Sequence, residues 1–138
     1  MQVVYDKHWT YSSDGYVLSL QTGIPNLTVA TPSAPNFAVS NTDAIPMQQW
    51  VHLAGTYDGT NARIYINGIQ TAVAPQTGNV THNDRDASIG NDNGGDRSYG
   101  FNGLIDAVGV FNRALTPAEI QASVQAGAAA SPRAPRWI

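Results

Sequence analysis

The segment FNGLIDAVGVFNRALTPAEI, residues 101–120, reads as a half-buried strand running into a short capped helix. Apolar residues fall in two rows, Leu104/Val108/Val110 and Ile105/Ala107/Phe111, with the two-residue period of a pleated strand. Asp106 interrupts the more aliphatic row. A carboxylate on an inward face must be ion-paired, hydrogen-bonded or metal-bound, because burying it alone costs several kcal/mol. The alternation stops at Asn112-Arg113. Thr116-Pro117-Ala118-Glu119 then spells a capping box: Thr116 caps the helix, Pro117 takes its first position, and Glu119 reaches back to the Thr116 amide.

Upstream, WVHLAGTYDG (residues 50–59) is an alternating run ending in a turn, and RIYING (residues 63–68) closes on Asn-Gly, the strongest short hairpin signal. SIG (residues 88–90) is a short strand before a polar loop. Three such motifs in this order resemble the laminin-G-like, concanavalin-A-like jelly-roll family over residues 3–127. The resemblance implies an all-β antiparallel sandwich with one short C-terminal helix, and a secreted or cell-surface setting. Trp50, which opens the family's central strand, is expected in the core. Asp106 matches the family's motif aspartate and is a candidate ligand for a structural Ca²⁺. The plainer reading is a buried carboxylate that accepts hydrogen bonds from the preceding loop. Relatives usually carry further strands before the position matching Val3. The resemblance therefore implies either a shortened protein or one module of a longer one, with sheet edges to cover.

Composition agrees with one domain of strands and turns. The chain has 138 residues, 42% hydrophobic, with 13 Gly and 8 Pro. Its formal charge of -3, with a single lysine and scattered arginines, gives no basis for nucleic-acid binding. No apolar run approaches the roughly 18 residues that span a bilayer, so membrane insertion is not expected. Without cysteine there are neither disulfides nor thiolate metal sites. Strands are expected over residues 16–20, 26–31, 36–40, 50–57, 62–66, 69–74 and 87–90, besides the start of the chain and residues 104–111. The domain is expected to span residues 1–127, followed by a flexible Pro/Arg tail over 128–138.

Catalysis is disfavoured by subtraction. Glycosidases of this fold use a pair of carboxylates, and the only glutamate here, Glu119, serves a helix cap. The nine aspartates fall mostly on loops, with no pair alternating along one apolar strand. Sugar recognition needs an aromatic surface for C–H groups and planar polar groups for hydroxyls. Asn91, Asp92, Asp96, Arg97 and Tyr99 supply such groups in one glycine-rich loop, Trp9 and Tyr11 in another. Each aromatic reads equally as a rim residue of a sandwich. His52 alternates with Trp50, Ala54 and Thr56, opposite the row Val51/Leu53/Tyr57, and is expected to look out from the concave sheet.

The function expected is a non-catalytic carbohydrate-recognition module, lectin-like, with a glycan or glycoprotein as partner. The alternative is a structural or adhesion module that self-associates. Ala107 and Gly109, beside Phe111, stand where relatives place charges, so a homodimer or higher homo-oligomer is expected from either.

Overall fold

Two-residue turns set the pairing of successive strands. At Thr22-Gly23 and Asn67-Gly68 both residues have positive φ, at 50° and 83° and at 51° and 82°. This left-handed geometry matches the twist of the strands it joins. Between two other strands, the Asp58 carboxylate accepts the amides of Thr60 and Asn61, at 2.9 and 2.7 Å, and the Thr60 hydroxyl. These bonds hold it well below the usual carboxylate range, led by the Thr60 hydroxyl and then the Arg63 guanidinium.

The computed structural model describes residues 1–7, 14–92 and 98–130, with side chains through 127. Among them are eight strands: β1 (Gln2–Asp6), β2 (Tyr16–Gln21), β3 (Ile24–Thr31), β4 (Ala34–Ser40), β5 (Leu53–Tyr57), β6 (Asn61–Ile66), β7 (Ile69–Pro75) and β8 (Ser88–Ile89). One helix, α1, spans Pro117–Ala130. The strands form two antiparallel sheets, β4-β3-β2-β1-β8 and β5-β6-β7, the jelly-roll sandwich expected. β6 packs across β3 and β4, and β7 across β4. Val4, Leu20, Leu27, Val29 and Val39 of the larger sheet meet Leu53, Ala62 and Ile64 of the smaller to form the core. Gly55 allows the close approach at the β5 edge, since a Cβ there would lie 2.9 Å from a Leu27 methyl. At one end Gln76, almost wholly buried, donates from Nε2 to the Val29 carbonyl at 2.7 Å and ties the layers together.

Several expectations are corrected. Residues 104–111 form no strand. The alternation is broken at Ala107, whose φ of 53° turns the chain out of extended geometry, and neither apolar row is buried. Leu104, Val110 and Phe111 are 74%, 52% and 61% exposed. Asp106 is only half-buried, and its Oδ1 accepts the next residue's amide at 2.8 Å, so it is not the inward carboxylate expected. The central strand starts at Leu53, not at residue 50, and leaves Trp50 half-buried ahead of it. The helix runs through Ala130, and residues 131–138 of the tail expected from composition lie outside the described residues. Its N-terminus follows the capping box: Thr116 N donates to Glu119 Oε2 at 2.8 Å and Glu119 N to Thr116 Oγ1 at 3.3 Å.

Candidate functional site

Only part of the candidate sugar-binding set falls within the described residues. Trp9, Tyr11, Asp96 and Arg97 lie outside the described residues. Asn91, Asp92 and Tyr99 sit beside the outer edge of the larger sheet, where Ser88 Oγ donates to the Asn91 carbonyl at 2.7 Å and Val3 N to the Tyr99 carbonyl at 2.8 Å. Asp92 is buried, and Asn91 and Tyr99 are half-buried.

His52 does not look out. It is 9% exposed beneath α1, with Val51 and Leu53 buried on either side. Asn67 clamps its backbone: Asn67 N donates to the His52 carbonyl at 2.8 Å, and His52 N to Asn67 Oδ1 at 2.9 Å. Nε2 lies 3.0 Å from Ser123 Oγ, and that hydroxyl donates to the Ile120 carbonyl at 2.7 Å. A neutral ring donating from Nε2 satisfies both contacts. Burial lowers the His52 pKa. Because the folded pKa falls below the unfolded value of about 6.5, this group's stability is complete above that pH. It is lost as pH falls toward the folded pKa. The melting temperature should therefore decline below about pH 6.5, and His52→Gln should flatten that decline. Equal slopes for both proteins would show that other groups control the transition.

Metal ligation fits poorly. Calcium needs six to eight oxygen ligands. Among the described residues no three His, Asp or Glu side chains cluster as a metal site, and Asp106 already spends one oxygen on Ala107.

Glu119 is likewise committed. Arg113 grips it with a fork, Nη1 to Oε2 at 2.9 Å and Nη2 to Oε1 at 2.7 Å. That pairing first, and the Thr116 amide and hydroxyl second, hold Glu119 at a pKa of about 2. A glycosidase acid needs the opposite shift.

A cavity of about 490 Å³ lies along the open edge of β5. One wall is consecutive, residues 52–57, and so is the other, residues 107–113. β1, β2 and β3 provide the floor through Val4, Tyr5, Tyr16, Leu18, Leu27 and Val29, and Leu115 and Ile120 close one end. Tyr5 and Tyr16 stack as diagonal neighbours, centroids 5.8 Å apart, and burial followed by Tyr16 pushes the Tyr5 hydroxyl up to about 12. The sequence reading missed this space. Its only trace there is the loss of charge at Ala107, Gly109 and Phe111.

Two antiparallel layers closed by a capped helix define a β-sandwich of the jelly-roll class, open along one side. The chain belongs to the concanavalin A-like lectin/glucanases superfamily, whose laminin G model matches residues 2–121. A crystal structure of an S-layer domain-containing protein from Clostridium thermocellum ATCC 27405 (residues 221–444) is similar at 21% identity and a TM-score of 0.46. The match covers 80% of this chain and 56% of that one. No curated protein matches the chain significantly.

Proposed function

We propose that this chain is a non-catalytic association module that binds another polypeptide through the open side of its sandwich. It works in a secreted or cell-surface protein, the setting implied by its family. The observation that supports this reading is the apolar cavity between the β5 edge and residues 107–113. Aliphatic and aromatic walls of this kind suit a protein segment better than a hydroxyl-rich sugar. Carbohydrate recognition, the other reading open to this superfamily, would rest on Trp9, Tyr11, Asn91, Asp92, Asp96, Arg97 and Tyr99, of which Asn91 and Tyr99 are half-buried and Asp92 buried. This chain has no glutamate pair of the kind glucanases of this fold use, since its single glutamate is held in a helix cap.

A glycan array probed with and without EDTA, together with reducing-sugar release from β-glucans, tests the reading. No saturable sugar binding and no turnover above blank are expected. Saturable binding competed by free sugar and weakened by Asn91→Ala would establish a lectin instead. Turnover lost on changing an aspartate would establish a hydrolase.

A further inference from the structure

Five glycines directly follow an asparagine or aspartate: Gly15, Gly59, Gly68, Gly94 and Gly103. At such a pair the glycine nitrogen is a nucleophile toward the preceding side-chain carbonyl carbon, with no Cβ of its own to obstruct the approach. The fold treats the pairs differently. Asn93-Gly94 lies outside the described residues.

Three pairs are held. The Gly15 amide, the nucleophile at Asp14, donates to the Thr81 carbonyl at 2.8 Å. Asp58 accepts from Thr60, Asn61 and Arg63, which keep it ionised and therefore a poor electrophile. Asn67 Oδ1 accepts the His52 amide at 2.9 Å, and Gly68 is covered by α1, where a Cβ would clash with Gln121 Oε1. Both residues of that turn also hold positive φ, a geometry that a rerouted backbone would break.

Asn102-Gly103 has none of these restraints. Both residues are exposed and lie outside any strand or helix. Among the described residues no hydrogen bond engages the Asn102 side chain or the Gly103 amide. Only the residue before them is anchored: Phe101 N donates to the Gly90 carbonyl at 2.8 Å, and its ring packs on the core.

We propose that Asn102 is a self-modification site, at which the chain converts an asparagine into aspartyl and isoaspartyl products through its own Gly103 nitrogen. A bond from Gly103 N to Asn102 Cγ forms as the Cγ–Nδ2 bond breaks, and the nitrogen leaves as ammonia with the proton of the Gly103 amide. This closes a five-membered succinimide. Water then opens one of the two ring C–N bonds, at Cγ to give aspartate or at the backbone carbonyl to give isoaspartate. One water is consumed, one ammonia is released, and nothing is oxidised or reduced. Either product replaces a neutral amide by a carboxylate and takes the formal charge from -3 to -4. The new charge stands beside Leu104, 74% exposed, on the segment that leads into the cavity wall of residues 107–113. The site goes beyond the association reading and does not depend on it.

The test is incubation of the folded protein in warm neutral buffer, then trypsin digestion alongside an unincubated sample. Cleavage after Arg63, Arg85, Arg97 and Arg113 separates Asn67, Asn93 and Asn102 into peptides 64–85, 86–97 and 98–113. Peptide 98–113 should gain the mass of one NH2 exchanged for OH and split into two product peaks. Its conversion should be at least about tenfold faster than that of 64–85, the factor that about 1.4 kcal/mol from the bond to Asn67 Oδ1 imposes. In urea the two rates should converge. Asn102→Gln, which would need a six-membered ring, should lose both peaks with unchanged far-ultraviolet circular dichroism. Absence of product in folded 98–113 overturns the proposal, as does equal conversion of 64–85 and 98–113 in the folded protein. So do a gap that persists in urea and peaks that survive Asn102→Gln. None of these results bears on association, which the glycan array tests separately.

Discussion

Ile64→Ala should destabilise the protein by about 2–5 kcal/mol, measured as a lower urea midpoint at fixed protein concentration. Ile64 is fully buried on β6, the middle strand of the smaller sheet. Its cross-strand partners are Gly55 on β5 and Ala72 on β7. With small residues on both sides, the isoleucine fills the layer between the sheets, and little nearby can collapse into the space it leaves. Ile64→Val removes one methylene and should cost only about 0.5–1.5 kcal/mol. Ile69, on the neighbouring strand but 67% exposed, should tolerate alanine within about 0.5 kcal/mol. Similar losses at Ile64 and Ile69 would mean that β6 is not the centre of the core.

Gly15→Ala should be the most damaging of the glycine substitutions, at about 3–5 kcal/mol. Its φ is +71°, and a Cβ would fall 1.8 Å from the Lys7 carbonyl oxygen, a backbone atom that cannot swing aside. The same residue joins three segments: its amide donates to the Thr81 carbonyl at 2.8 Å, and its carbonyl accepts from Ala30 at 2.9 Å. Gly59 separates the two causes. Its φ is +88°, yet nothing lies within 4 Å of a Cβ there. Gly59→Ala should therefore cost only the backbone strain, about 1–2 kcal/mol. Equal melting temperatures for the two variants would show that steric contact at Gly15 contributes nothing.

The two sheets also explain why β5 is the vulnerable edge of this sandwich. β7, the opposite edge of the smaller sheet, contacts both β4 and α1. α1 also shields the turn into β7, because a Cβ on Gly68 would meet the Gln121 side chain. β5 has no such cover along residues 53–57. Its exposed edge and residues 107–113 face each other across the same space.

Local chemistry was legible in the sequence, and it determined most of the fold. Asn67-Gly68 makes a hairpin because asparagine and glycine both accept positive φ. At Thr22-Gly23 the glycine does so freely, whereas Thr22 is held at a φ that β-branched residues rarely adopt. Thr116 and Glu119 cap a helix because the reciprocal bonds span only three residues. Alternation at the start of β2 likewise reports two faces of a strand without reference to distant partners. What the tertiary structure decided is which edges find partners and which polar groups lose water. The alternation in residues 104–111 specifies faces but supplies no neighbouring strand, so the strand expected there does not form within one copy. His52 alternates as an outward residue would, but a helix 71 residues further on covers it and takes its Nε2. Arg113, a plain surface charge in the sequence, becomes the clamp on the helix cap only when Glu119 is turned toward it. Gln76 follows the last residue of β7 as an ordinary loop amide, and only the approach of β3 from 47 residues away makes it a buried link between the sheets.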